Sequence, residues 1–182
     1  MYCGTNKTAL QSQRQIAHAM MLLIRQKPYA QITVSELCKT AGISRQTFYS
    51  LFTSRENVIV FTLQASDGDD LELAPSPSGR QENLLRLLCR EYSAYMLRNR
   101  QLIKLLVDNR IDYLLYDSFF DAMNGCGCFL PERSPCERSY AASFYAGGIA
   151  CVARRYAEEG CTSAAADLEA LLMRLLSGEL FG

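Results

Sequence analysis

Apolar positions recur three and four residues apart along almost the whole chain, and no stretch alternates with period two between turn residues. The pattern predicts an all-α protein. A first helix spans about 8–26, with Ile16, Met20, Leu23 and Ile24 on one face, and stops as Lys27-Pro28 arrives. Thr33-Val-Ser-Glu36 has the spacing of a capping box, so a second helix starts there with Val34, Leu37, Cys38 and Ala41 as its apolar stripe. Gly42 then supplies the positive φ that a tight turn needs. Ser44 caps a short third helix that turns Phe48 and Phe52 inward and Arg45, Gln46, Tyr49 and Ser50 outward. Thr53-Ser-Arg-Glu56 reads as another capping box, opening a fourth helix with Val58, Phe61 and Ala65 along one stripe.

Residues 66–79 combine acidic residues, Gly, Pro and Ser and read as a linker. Beyond them, helices are predicted over about 80–98, 99–108, 110–124, 135–159 and 163–178. Ser134-Pro135-Cys-Glu137 supplies a capping box with Pro at the first helical position.

Composition narrows the class. Of 182 residues, 49% are hydrophobic and 21% charged, which excludes disordered and collagen-like readings. No apolar run approaches the roughly 18 residues of a membrane span, and residues 1–20 lack the features of a secretory signal. A cytoplasmic protein with no membrane partner is expected, and its eight cysteines are expected to be reduced, packed thiols. The 19 basic and 19 acidic side chains cancel, but not locally. Residues 1–60 hold seven basic side chains against two acidic ones, leaving the remainder with 12 against 17. A basic module that meets a polyanion, joined to an acidic module with another task, accounts for the split.

Two short helices joined through Ala41-Gly42-Ile43, the second exposing Arg, Gln, Thr and Tyr, have the anatomy of a helix-turn-helix. A helix fits the major groove, where Arg45 and Gln46 can pair with base edges and Thr47 can offer a methyl or hydroxyl. Tyr49 and Arg55 suit phosphates, Arg55 with the free N–H groups of a helix start beside it.

The stretch from Ile32 to Glu56 closely resembles the DNA-binding signature of TetR-type (tetracycline-repressor-like) transcriptional regulators. It carries the Thr-Val start, the Ala-Gly-Ile-Ser-Arg turn, the Thr-Phe-Tyr core and the Phe-x-x-Arg-Glu opening of the fourth helix. The resemblance spans about residues 8–62. It implies an all-helical homodimer, with a helix-turn-helix domain of three helices over 1–55 and a helical effector-binding and dimerisation domain over 56–182. It implies DNA contacts by Thr33, Ser44, Arg45, Gln46, Thr47, Tyr49 and Arg55, a palindromic operator as partner, a repressor role and an unknown small-molecule effector. Arg55 stands where a Lys is commoner, Gln46 where a small residue is frequent, and Pro28 where Gly is frequent. The segment Phe144-Tyr-Ala-Gly-Gly-Ile-Ala-Cys-Val152 resembles the penultimate helix of a Lys-Pro-Tyr/Phe subgroup, without the Trp common near Tyr156.

That helix is apolar or small on two stripes, Tyr140/Phe144/Gly147/Gly148/Cys151 and Ala141/Tyr145/Ile149/Val152/Tyr156, so one neighbouring layer cannot cover it. With Leu168, Leu171, Leu172, Leu175 and Leu176 of the last helix it is expected to build an isologous four-helix interface. The expected interface residues are Tyr140, Phe144, Gly147, Gly148, Cys151, Leu168, Leu172 and Leu175. An effector pocket is expected among the middle helices, lined by Tyr92, Met96, Tyr113, Tyr116 and Phe120.

Catalytic chemistry is not expected. His18 is the single histidine, which disfavours His-based metal sites and catalytic triads, and no cofactor or resident metal is called for. Cys126-Gly-Cys128 with Cys136 could hold a soft metal or respond to oxidation, although the spacing differs from that of zinc sites. The competing reading is a helical interaction protein or thiol-based sensor that keeps the fold without an effector.

Overall fold

A computed structural model describes residues 6–65, 84–127 and 129–179. The linker reading of 66–79 and Cys128 lie outside these. Nine α-helices and one 3-10 turn occupy the described residues: α1 Lys7–Ile24, the turn Tyr29–Gln31, α2 Val34–Ala41, α3 Arg45–Leu51, α4 Arg55–Ala65, α5 Leu84–Arg98, α6 Arg100–Asp108, α7 Tyr113–Gly125, α8 Pro135–Glu158 and α9 Ala165–Leu176. The fold is all-α, as the periodicity predicted. The chain divides into two compact units, 1–66 and 67–182.

In the first unit α1 is the platform. It packs against α2, α3 and α4, burying Ile16, Met20, Leu23 and Ile24. Asn6 caps it by accepting the Thr8 and Ala9 N–H groups at 2.9 and 3.4 Å. Helix α4 uses a different face from the expected Val58/Phe61/Ala65 stripe: Val58, Ile59 and Leu63 are buried, Phe61 is half-buried and Ala65 is exposed. The α4 start also moves. Ser54 Oγ accepts the Asn57 N–H at 3.3 Å, while the Glu56 carboxylate, expected to close a box with Thr53, accepts a bond from Tyr29 instead.

In the second unit α5 packs on α9, while α6, α7 and α9 all pack on α8. The capping box at Ser134 is complete, with Ser134 Oγ accepting the Glu137 N–H and the Glu137 carboxylate accepting the Ser134 N–H at 3.0 Å. The inward face of α8 is a ridge of small residues, Ala142, Ala146, Ala153 and Ala157, interrupted by Ile149 and Tyr156. Such a ridge lets α6 and α7 approach closely. Helix α9 turns Leu168 and Leu172 into the core and leaves Leu171 exposed.

Replacing Leu172 by Ala should therefore remove about 2–5 kcal/mol of unfolding free energy. Leu171→Ala should leave the folding of an isolated chain nearly unchanged. Urea titrations followed by circular dichroism check the contrast, and equal losses would contradict the assignment of Leu172 to the core.

Candidate nucleic-acid interface

A helix of seven residues has little stability of its own, so its display depends on what holds it. Helix α2 begins at Thr33, whose hydroxyl accepts the Glu36 N–H at 3.2 Å. It ends at Gly42, with φ +69°, and Ile43 then donates its N–H to Cys38 O at 3.0 Å. A side chain at position 42 would be strained by that backbone, and the turn fixes the angle between α2 and α3. Ser44 accepts the Thr47 N–H at 3.0 Å, and the two hydroxyls lie 2.9 Å apart. Phe48, Leu51 and Phe52 are buried, with the Phe52 ring set edge-on against Phe61 at 5.6 Å.

The outer face of α3 carries the expected chemistry. Ser44, Arg45, Gln46 and Tyr49 are exposed, Tyr49 by 52% with its ring edge-on to Phe48 at 5.3 Å. Thr33 is exposed at the start of α2, and Thr47 is half-buried because its hydroxyl and N–H serve the Ser44 cap. Arg45 is close enough to lower the pKa of the Cys38 thiol, but burial dominates and pushes that thiol up.

Arg55 is more committed than the sequence suggested. Its Nη1 donates to Tyr29 O at 3.3 Å and to Ile32 O, and the guanidinium carbon lies 4.8 Å from the centre of the Tyr29 ring. The fork retains Nε and Nη2 as further donors. Tyr29 itself is buried and donates its hydroxyl to Glu56 Oε1 at 2.7 Å. Lys27 meets the Glu36 carboxylate, and its ammonium also donates to Gln31 O at 3.2 Å. Polar bonds thus tie the loop before α2 both to α2 and to the first turn of α4. Tyr29 escaped the sequence reading; the Lys-Pro-Tyr text was the available signal.

Burial raises the Glu56 pKa, but the hydrogen bonds it accepts from Tyr29, its own backbone and Ser54, with the Arg55 charge, outweigh this and leave it below the ordinary value.

The remaining expected sites lie in the second unit. On α8, Tyr140 and Phe144 are exposed by 75% and 68%, Cys151 is exposed, and Gly147 and Gly148 are half-exposed. Leu175 is half-buried, whereas Leu168 and Leu172 are buried within the unit. Of the expected pocket residues, Tyr92 and Met96 are fully buried, with Phe119 edge-on to Tyr92 at 4.8 Å. Tyr116 and Phe120 stack at 6.0 Å, and Tyr113 is exposed. None of the five lines the cavity of about 240 Å³ between α8 and α9, whose wall includes Cys151, Val152, Arg155, Tyr156, Leu171 and Leu175. Contrary to the expectation of reduced thiols throughout, Cys126 is disulfide-bonded; Cys38, Cys89, Cys136, Cys151 and Cys161 are free. Burial, with the Glu169 charge, pushes the Cys89 thiol up to about 11, so it is inert packing. Among the described residues, no three His, Cys, Asp or Glu side chains are placed to hold a metal ion, and no helix is long and apolar enough to cross a membrane.

Residues 16–60 match the family described as bacterial regulatory proteins, tetR family. The chain is 33% identical over 82 residues to the HTH-type dhaKLM operon transcriptional activator DhaS of Lactococcus lactis, an alignment covering 45% of this chain and 44% of DhaS. It is 36% identical over 69 residues to the HTH-type transcriptional regulator EthR of Mycolicibacterium smegmatis, covering 35% of this chain and 32% of EthR. These matches thus span less than half the length of either relative. The solved structure of Lin0861 from Listeria innocua superposes with a TM-score of 0.72 at 16% identity, covering 97% of this chain and 95% of that one, and so shares the fold.

Tyr29→Phe should cost about 1 kcal/mol at neutral pH, the net worth of a partly solvated hydrogen bond to a carboxylate. A carboxyl with a depressed folded pKa stabilises fully above its ordinary value of 4.5 and loses that contribution as pH falls through the folded pKa. The gap between wild type and variant should therefore close on acidification below 4.5. Urea unfolding across that range checks it, and a gap independent of pH would remove Glu56 from the account.

Proposed function

We propose that this chain, whose residues 16–60 match the family of bacterial regulatory proteins described as tetR, is a DNA-binding transcriptional regulator that acts as a homodimer on a palindromic operator. The observation that carries the reading is the outer face of α3, where Arg45, Gln46 and Tyr49 stand exposed on a helix capped by Ser44 and pinned by Phe48. Arg45 and Gln46 read base edges in the major groove. Thr33, Ser44, Thr47 and Tyr49 contribute backbone and sugar contacts, and Arg55 offers its remaining donors to a phosphate beside the first turn of α4. Two copies related by a two-fold axis set their α3 helices in successive major grooves about 34–36 Å apart.

The second unit supplies the self-association surface and holds a small-molecule effector. The exposed Tyr140, Phe144 and Cys151 stripe supports the first role. The aromatic-rich α5 and α7, with Tyr92, Met96, Tyr116 and Phe120, support the second. An effector that prefers the DNA-incompetent arrangement loosens the operator complex by its differential affinity, and this is repression relieved by ligand.

Selection of bound duplexes from a random pool, followed by titrations of variants, tests the reading. Arg45→Ala and Gln46→Ala should each flatten the base preference at their positions, costing about 1–3 kcal/mol on the selected site and little elsewhere. Arg55→Ala should weaken all duplexes alike and reduce the salt slope by about one unit. Equal losses on every sequence from all three would overturn the base-reading role of α3.

A further inference from the structure

Three of the seven basic side chains in residues 1–60 serve neither the proposed base contacts nor the loop before α2. Lys7 and Arg14 on α1, and Arg25 at its carboxy-terminal cap, are all exposed. At 100° per residue they fall within about 20° of one line along the helix, and the exposed His18 falls on it too. They form one stripe about 27 Å long. Gln11 and Gln15 stand exposed beside it, so every polar side chain along this face can donate a hydrogen bond. Helix α1 contains no acidic residue.

The stripe lacks a counter-charge in this part of the chain. Both acidic residues of 1–60 are engaged elsewhere, Glu36 with Lys27 and Glu56 with the Tyr29 hydroxyl. Among the described residues, Lys7, Arg14 and Arg25 make no ion pair. Packing sets the direction in which the stripe looks. Ile16, Met20, Leu23 and Ile24 face the helices that α1 packs against, about half a turn round from the stripe. Phe48 turns the inner face of α3 toward the same core and leaves Arg45, Gln46 and Tyr49 on its far side. The stripe and the recognition face therefore lie on opposite sides of the first unit, and a duplex seated on α3 leaves the stripe in solvent.

We infer that the α1 stripe holds the phosphate backbone of a second DNA duplex while α3 occupies the groove of the first. The inference rests on the DNA-binding reading and adds a second surface to it. Duplex DNA carries one charge per roughly 1.7 Å of axis, so about 16 phosphate charges pass along a stripe of this length. Three cations with uncharged donors between them grip such a backbone without reading bases, a contact that is weakened by salt and indifferent to sequence. An anionic bilayer suits the face less well. Only Leu10 and Leu22, far apart along the helix, offer large apolar side chains in solvent there, too few to enter the acyl boundary. A regulator with this back surface draws two stretches of DNA together.

A bridging assay tests the surface. The full chain is loaded on a bead-tethered duplex carrying the selected site, unbound protein is washed away, and a labelled duplex lacking that site is added at about 50 mM salt. Wild type should retain the label, and retention should fall steeply as salt rises. Arg14→Gln combined with Arg25→Gln should cut retention at least about tenfold and lower its salt slope by about one unit per arginine removed. Affinity of the same variant for the selected duplex in solution should stay within about twofold of wild type, with helical content by circular dichroism unchanged. Lys7→Gln, at the exposed first residue of α1, should lose retention in the same direction. Label retained equally by wild type and variants, or by neither, overturns the second surface and leaves the DNA-binding reading standing. A variant whose affinity for the selected duplex falls in step does the same, because the stripe then belongs to the first contact. Capture of phosphatidylglycerol vesicles in place of the second duplex overturns it in favour of a membrane. Wild-type protein that binds no duplex at all overturns both readings.

Discussion

The burial of Phe48 is the constraint on which the recognition surface depends. Helix α3 has seven residues, too few to persist unaided, and its outward side is polar almost throughout. Only the inward ring of Phe48, fully buried and flanked by Leu51 and Phe52, gives the segment a reason to be helical and to lie at one angle. Rigidity of the outer face follows from packing of the inner one. The base-reading role proposed for Arg45 and Gln46 requires such a fixed backbone, and the buried Phe48 supplies it.

The same logic, inverted, governs α8. Its inward side is an alanine ridge on which α6 and α7 rest, so most of its binding capacity within the chain is spent on backbone proximity rather than on large side chains. Two of its large side chains, Tyr140 and Phe144, point away. A helix of 24 residues that buries mostly small residues and leaves Tyr140 and Phe144 exposed is not at its lowest free energy alone in water. The first unit buries Phe48 to hold a helix still, whereas α8 of the second leaves Tyr140 and Phe144 in solvent.

Local signals were legible in the sequence, and side-chain partnerships across distance were not. Periodicity, the caps at Thr33, Ser44 and Ser134, and the positive φ at Gly42 depend on residues within four positions of each other, so a linear reading finds them. At the start of α4 the cap lies at Ser54 rather than Thr53, and Glu56 accepts a bond from Tyr29, 27 positions upstream. Arg55 turned part of its guanidinium to loop carbonyls 26 and 23 residues away, which no spacing rule announces. On α9 the leucines form a nearly continuous apolar run. The pattern shows that such a helix is packed on more than one side, but it cannot divide the buried Leu168 and Leu172 from the exposed Leu171 and the half-buried Leu175. That division depends on which helix arrives where.

Arg55 shows why the departure from lysine matters physically. A lysine ammonium at the first turn of α4 is a point charge with three donors and no plane, well suited to a phosphate but unable to stack. The guanidinium lies over the Tyr29 ring and reaches two carbonyls of the loop from one nitrogen, so it remains useful when no anion is present. Those carbonyls sit one and four residues before the Thr33 cap, at the threshold of α2. An anion drawn to the free side of the same guanidinium would pull on the group that positions this threshold. Charge attraction and loop geometry are therefore coupled at one side chain, and the chemical choice of Arg over Lys makes both tasks compatible.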